Sequence, residues 1–292
     1  MTRVGVVGLG IMGSAYARNL LAAGHEVAGH DVATERMETL EALGGEPAAT
    51  NAQVARASDV VLIAVATVDG LREAVAGADG IVSGARQGAI VVEMGTFPLA
   101  EKEWARTVLG SRGVAVLDAP VSGTGLQAEA REIVIYASGD PAAMSQAKPV
   151  FEVLAKAIYD LGEFGNGSKM KYLANLLVSV HNLATAETFV LGKAAGLDPD
   201  VILEVISAGV GSSRIFEIRG PMMAADDYPP AARLKMFLKD IDVIGGFARD
   251  LGAPTPMLDA ALPWYQEAVE AGLGELDAAA LARLLADRVS GR

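Results

Sequence analysis

Short apolar runs at residues 4–7, 26–30, 59–65, 89–93 and 114–118 alternate with amphipathic stretches at about 11–23, 33–43, 68–77 and 98–111. Apolar runs of four to seven residues read as buried strands, and the stretches between them carry the 3.6-residue period of helices. A chain that alternates in this way must pair its strands in parallel through helical crossovers. The pattern predicts a doubly wound, mostly parallel α/β sheet. Two later runs, 133–137 and 157–161, read as further strands. Between them Asp140-Pro141 supplies an N-cap and a first-turn proline for another helix.

The pattern changes after Leu161. A glycine-rich joint spans 162–167, the strand signal stops, and one long helix-forming stretch runs from Ser168 to about Ala195. Further helices are expected to begin near Asp198-Pro199, Arg233 and Asp277. The expected organisation is an α/β domain over 1–164 and an all-helical domain over 165–292, entered by a long interdomain helix.

A GxGxxG sequence, Gly8-Leu9-Gly10-Ile11-Met12-Gly13, follows the first strand and opens the first helix. By itself the motif is weak; in that context it predicts a dinucleotide site. The first glycine permits the turn, the second lets a pyrophosphate approach the backbone, and the third lets helix and strand pack closely. Asp31 ends the second strand 18 residues beyond Gly13. That is near the spacing of about 20 residues at which an acid receives the ribose 2′-hydroxyl. A carboxylate there repels a 2′-phosphate, so NAD is expected to be preferred. NADP stays open because Thr34 and Arg36 lie close by.

Composition narrows the chemistry further. Zero cysteines among 292 residues exclude thiolate ligands, and His25, His30 and His181 are scattered, so no metal is expected. A formal net charge of -12 opposes general attraction to nucleic acid or anionic lipid. The opening residues run straight into a strand, and nothing approaches the roughly 20 apolar residues of a membrane span. A cytoplasmic protein is expected.

On the long helix Lys171 and Asn175 stand four residues apart, on one face, and Ser179 and Asn182 continue the stripe. The rest of this helix is apolar nearly all round, which predicts burial and a need for partners along the stripe. A snorkelling lysine at a helix start would account for Lys171 without chemistry. Lys169, two residues earlier, points about 160° away, so only one of the two can face a given site.

Asp118-Ala119-Pro120-Val121-Ser122-Gly123, Gly165-Asn166-Gly167-Ser168-Lys169-Met170-Lys171 with Asn175, and Lys239-Asp240 complete the picture. With the glycine loop, their order and spacing resemble the β-hydroxyacid dehydrogenase family over essentially the whole chain. The resemblance implies a nicotinamide-dependent oxidoreductase acting on a short 3-hydroxy acid or the corresponding semialdehyde. It implies Lys171 as acid/base, Asn175 as the residue that orients substrate, and Ser122 and Gly123 as carboxylate anchors. It also implies Thr96 and Lys239 on the nicotinamide side. The amide of Thr124 is a further possible carboxylate donor, and Arg214 in Gly211-Ser212-Ser213-Arg214 a possible second clamp. Where the family usually has glycines this chain has Thr124, Gln127 and Arg131. The alternatives are a reductase of a larger or imine substrate, or a non-catalytic dinucleotide-binding module. The apolar helices predict an oligomer, and the resemblance implies a homodimer or homotetramer.

Overall fold

The computed structural model describes residues 2–289. The chain divides into two compact units, Met1–Lys171 and Tyr172–Arg292. The glycine-rich joint at 162–167 thus falls inside the first unit, and the long helix carries the chain into the second.

In the first unit the elements run β1 (Arg3–Val7), α1 (Ile11–Ala22), β2 (Glu26–His30), α2 (Thr34–Ala42), β3 (Glu46–Pro47), α3 (Asn51–Ala57) and β4 (Val60–Ile63). They continue through α4 (Val68–Ala76), α5 (Ile81–Gly84), β5 (Ile90–Glu93), α6 (Leu99–Gly110) and β6 (Ala115–Asp118). Six parallel strands pair in the order β3-β2-β1-β4-β5-β6. The sheet is buried on both faces, which is why its strands read as unbroken apolar runs. Val4, Val6, Leu62 and Val92 pack on one side; Val7, Val61, Ile63 and Val91 pack on the other. Strand order reverses between β1 and β4, so the loop after β1 opens at the topological switch point of the sheet.

The short elements β3, α3 and α5 escape the hydrophobic pattern because two to seven residues are too few to establish a period. For α3 a local signal exists. Thr50 accepts from the Gln53 amide, and Gln53 Oε1 accepts from the Ala49 amide, the Thr-x-x-Gln arrangement of a helix start.

The two later strands do not extend the main sheet. They are β8 (Ile133–Ala137) and β9 (Ala155–Asp160), parallel to each other, with the two-residue β7 (Val121–Ser122) antiparallel to β8. This second sheet begins where Asp118 bridges Ser138. Between its strands lie α7 (Gly125–Glu129) and α8 (Pro141–Leu154), the latter capped by Asp140 as its sequence predicts.

The helical unit begins within α9 (Asn166–Ala194). It continues through α10 (Pro199–Ser207), α11 (Arg214–Ala225), α12 (Leu234–Asp250), α13 (Pro256–Ala268), a 3-10 turn at Ala278–Ala280 and α14 (Leu281–Val289). Helices α11 and α13 are not among the expected ones. Each carries an internal proline, Pro221 and Pro263, which removes a backbone N–H and reads as a break.

The core of this unit gathers around Phe189, Phe216, Ile241 and Tyr265. A buried ion pair, Arg219 Nε to Asp277 Oδ1 at 3.0 Å, crosses it. The lower half of the polar stripe on α9 is spent here. Asn182 Nδ2 donates to Tyr265 Oη and to the Ala278 carbonyl, and Tyr265 donates to the Ser179 carbonyl. The Asn182 side chain therefore bonds helices together, whereas Ser179 takes part only through its backbone carbonyl and its buried hydroxyl has no hydrogen-bond partner; Lys171 and Asn175 remain as the half-buried upper pair. Among the described residues no helix is long and apolar enough to cross a membrane.

Candidate dinucleotide and active site

The three glycines of the loop after β1 differ in what requires them. Gly8 has φ +88°, a conformation L side chains rarely adopt, and a Cβ there would stand 2.9 Å from the Ala64 carbonyl oxygen. A Cβ on Gly13 would lie 1.8 Å from the Gly8 carbonyl oxygen, so this glycine is demanded by packing of α1 on the loop. A Cβ on Gly10 would meet only Arg36 Nη1, at 3.9 Å. No atom of the protein needs that space. Gly10 is also the N-cap of α1, with no side chain capping the helix and no acid in its first turn. A bare, positively polarised helix end beside an open glycine fits the pyrophosphate of a dinucleotide. Ile11 is exposed, Met12 half-buried, and Leu9 buried in the core.

Asp31 stands at the end of β2, and its carboxylate is built into the loop. Oδ2 accepts from the Leu9 amide at 2.7 Å, Oδ1 from the Ala33 amide at 2.9 Å, and Arg36 Nη1 reaches both oxygens. Burial pushes the pKa of Asp31 up, but the two amides and the guanidinium outweigh it and hold the carboxyl below its ordinary value. One acid thus joins the glycine loop to the residues that follow β2. Spacing alone does not reveal this structural role.

Thr96 is half-buried in the loop after β5. Ser122 is half-buried at the end of β7, and Gly123 is exposed with φ +147°. The amide of Thr124 is already donated to Gln127 Oε1 at 2.9 Å, and Thr124 Oγ1 accepts from the Gln127 amide at 3.4 Å. Thr124 and Gln127 are therefore the capping box of α7, their side chains committed to each other. Gly125 brings α7 against α1, since a Cβ there would lie 2.3 Å from Ile11 Cγ2.

The start of α9 separates its two lysines. Lys169 is exposed, with Nζ 3.1 Å from Asn166 Oδ1 in the same helical turn; Lys171 is half-buried. The turn before Lys171 is bonded to the carboxyl end of β6. The Ser168 amide donates to Asp118 Oδ2 and its hydroxyl to Asp118 Oδ1, both at 2.7 Å, while the Gly167 amide donates to Ser138 Oγ at 2.9 Å. Lys171 thereby stands at the end of the sheet where the glycine loop also opens.

Within the helical unit, Asn175 on α9 donates through Nδ2 to Asp240 Oδ2 on α12 at 2.7 Å. Lys239 Nζ lies 3.4 Å from Asp240 Oδ1. Two segments 65 residues apart in sequence are thus one cluster. Arg214 stands apart: it pairs with Glu217 on the exposed side of α11, an i,i+3 pair. The residues that pattern reading passes over are Glu93, Lys102, Ser138 and Ser168. Only Glu93 interrupts an apolar run; Lys102 stands between Glu101 and Glu103 as an exposed helix lysine would, and Ser138 and Ser168 stand beside glycines, so nothing local signals their burial.

The strand order and the open glycine at the mouth of α1 define a doubly wound, dinucleotide-binding domain. Comparison with known proteins narrows the class. Residues 3–162 match the NAD binding domain of 6-phosphogluconate dehydrogenase, and residues 165–285 match the NAD-binding domain of NADP-dependent 3-hydroxyisobutyrate dehydrogenase. The chain is 35% identical over 282 residues to an L-threonate dehydrogenase of Cupriavidus necator, covering 96% of this chain and 95% of that one. It is 31% identical to a 2-hydroxy-3-oxopropionate reductase of Escherichia coli, covering 97% of each. A crystal structure of 3-hydroxyisobutyrate dehydrogenase from Salmonella typhimurium is similar, with a TM-score of 0.89 and 32% identity, over 97% of this chain and all of that one. The chain belongs to the β-hydroxyacid dehydrogenase family, and it is an NAD(P)-dependent oxidoreductase.

Proposed function

We propose that this protein moves a hydride between NAD and a short hydroxylated carboxylic acid, or the matching semialdehyde, with Lys171 as the acid/base. The observation that carries the reading is the anchorage of the α9 start on Asp118. It sets a half-buried lysine, one helical turn further on, at the carboxyl end of the sheet that bears the glycine loop. The named relatives act on L-threonate and 2-hydroxy-3-oxopropionate, both small carboxylates. That supports a short carboxylate substrate here.

The nicotinamide supplies the hydride acceptor or donor. The protein's own groups do the rest. Gly8, Leu9, Gly10, Ile11, Met12 and Gly13 form the loop around the pyrophosphate; the Gly8 and Leu9 amides are held by the His30 carbonyl and Asp31, so the donors come from the start of α1. Asp31 favours NAD, since its carboxylate repels a 2′-phosphate. Thr96 and Lys239 attend the nicotinamide side. Ser122 and Gly123 hold the substrate carboxylate, with Thr124 shaping the turn rather than donating its amide. In oxidation Lys171 Nζ takes the hydroxyl proton as hydride leaves the carbon; in reduction it returns that proton to the carbonyl oxygen. Asn175, with one amide hydrogen on Asp240, keeps its other hydrogen and Oδ1 for the substrate hydroxyl. The protein works as a homodimer or homotetramer in the cytoplasm.

The test is an NADH and NADPH oxidation screen against glyoxylate, succinic, tartronate and methylmalonate semialdehydes. It is run beside NAD reduction with L-threonate, for wild type and Lys171→Met. Lysine-dependent turnover of one small acid supports the reading. NADH binding without turnover of any of the five, or turnover that survives Lys171→Met, overturns it.

A further inference from the structure

A single buried ammonium links the loop after β5 to the first turn of α9. Lys102, on α6, has no exposed surface; its Nζ lies 2.7 Å from the Gly95 carbonyl oxygen, 2.6 Å from Glu93 Oε2 and 2.7 Å from Asp118 Oδ1. Two of these contacts are hydrogen bonds, to the Gly95 carbonyl and to Asp118, and the third, to Glu93, is an ion pair. Glu93 Oε1 also accepts from the Gly95 amide at 2.8 Å, so the Glu93–Lys102 pair grips both ends of Gly95, the residue before Thr96. Asp118, besides meeting Lys102, accepts both donors of Ser168, and Ser138 Oγ lies 3.3 Å from its Oδ2. Ser138 in turn accepts from Gly167.

Three charged side chains taken out of water are an expensive way to fill a core, and apolar residues of the same volume generally serve stability as well or better. What such a cluster provides that apolar packing does not is direction, because each hydrogen bond fixes an angle as well as a distance. Burial pulls the lysine pKa down, but Asp118 and Glu93 outweigh it and hold the group above its ordinary value, so it stays a cation. A carboxylate at the mouth of α9 also opposes the helix dipole favourably.

We propose that Lys102, with Glu93 and Asp118, is a positioning device that locks the 95–96 loop and the first turn of α9 into one rigid piece. It thereby sets where Thr96 and Lys171 stand relative to each other. The inference rests on the reading of Lys171 as acid/base, and neither Lys102 nor its partners touch substrate.

Removing Lys102 would strand two buried carboxylates and risks misfolding, so the test uses Ser168→Ala, which deletes one hydroxyl and keeps the backbone bond to Asp118. Asp118→Asn serves as the second variant. In the cofactor-free protein, hydrogen–deuterium exchange of a peptide covering 166–174 should rise severalfold in Ser168→Ala, while a peptide covering the 8–13 loop stays unchanged. In the complete enzyme kcat should fall roughly 10-fold, as expected for loss of one charge-assisted hydrogen bond, with KM and NADH affinity held within about 2-fold. Asp118→Asn should exceed both effects. Unchanged exchange at 166–174, or a uniform rise across the whole unit, overturns the proposal, since the cluster is then ordinary core. Turnover that survives Lys171→Met sinks the acid/base reading instead, and the exchange experiment separates that failure from failure of the lock.

Discussion

Asp240 accepts a hydrogen bond from the side-chain amide of Asn175 at 2.7 Å, joining α12 to the third turn of the long helix α9. The bond decides which end of the Asn175 amide is nitrogen, because a carboxylate can only accept. Asp240→Ala should therefore lower kcat by about 10- to 100-fold while costing about 1 kcal/mol of stability, as the amide loses its fixed orientation. Asp240→Asn, which keeps an acceptor oxygen, should be milder. Steady-state kinetics beside thermal melting checks both; equal losses in the two variants would mean that charge matters more than orientation.

Lys171→Met should cut turnover by about 10²- to 10⁴-fold, the usual contribution of a general acid or base, with NADH binding retained. Lys169→Met should change kcat by less than about 2-fold, since Lys169 is exposed and bonded to Asn166 in its own turn. NADH fluorescence titration and single-turnover kinetics on the two variants measure the contrast.

The glycines of the loop should separate folding from binding. Gly13→Ala places a carbon 1.8 Å from a backbone oxygen and should lower Tm markedly or prevent folding. Gly10→Ala meets nothing nearer than 3.9 Å and should leave Tm nearly unchanged, yet weaken NADH binding by about 10-fold or more, because the added methyl takes the space a pyrophosphate needs. Melting curves and a cofactor titration together test the pair.

Asp31→Ser should shift the ratio of kcat/KM for NADPH over NADH upward by about 10-fold, since it removes the repelling carboxylate and frees Arg36 for a phosphate. The same acid carries a pH signature. Its folded pKa lies below the unfolded value, so its stabilisation is fully present above the unfolded pKa and is lost as pH falls through the folded one. The Tm gap between wild type and Asp31→Asn should hold steady at neutral pH and narrow only below about pH 4.

Local sequence determined the longer strands, though not the two-residue β3 and β7, and it determined the caps Asp140 and Asp198 and the glycine loop, because each depends on period or spacing within a few residues. It also determined that Lys171 and Asn175 share a helix face. It did not show that the later strands form a second sheet, because a run of apolar residues says nothing about which neighbour it pairs with. Nor did it reveal α11 and α13, whose prolines imitate breaks that the surrounding core overrides. The partners of the polar residues are set by the fold alone. Asp118 with Lys102 and Ser168, Asp240 with Asn175, and Asp31 with the Leu9 amide are pairs 16 to 65 residues apart. A buried charge must find its partner in space, and chain separation carries no record of that choice.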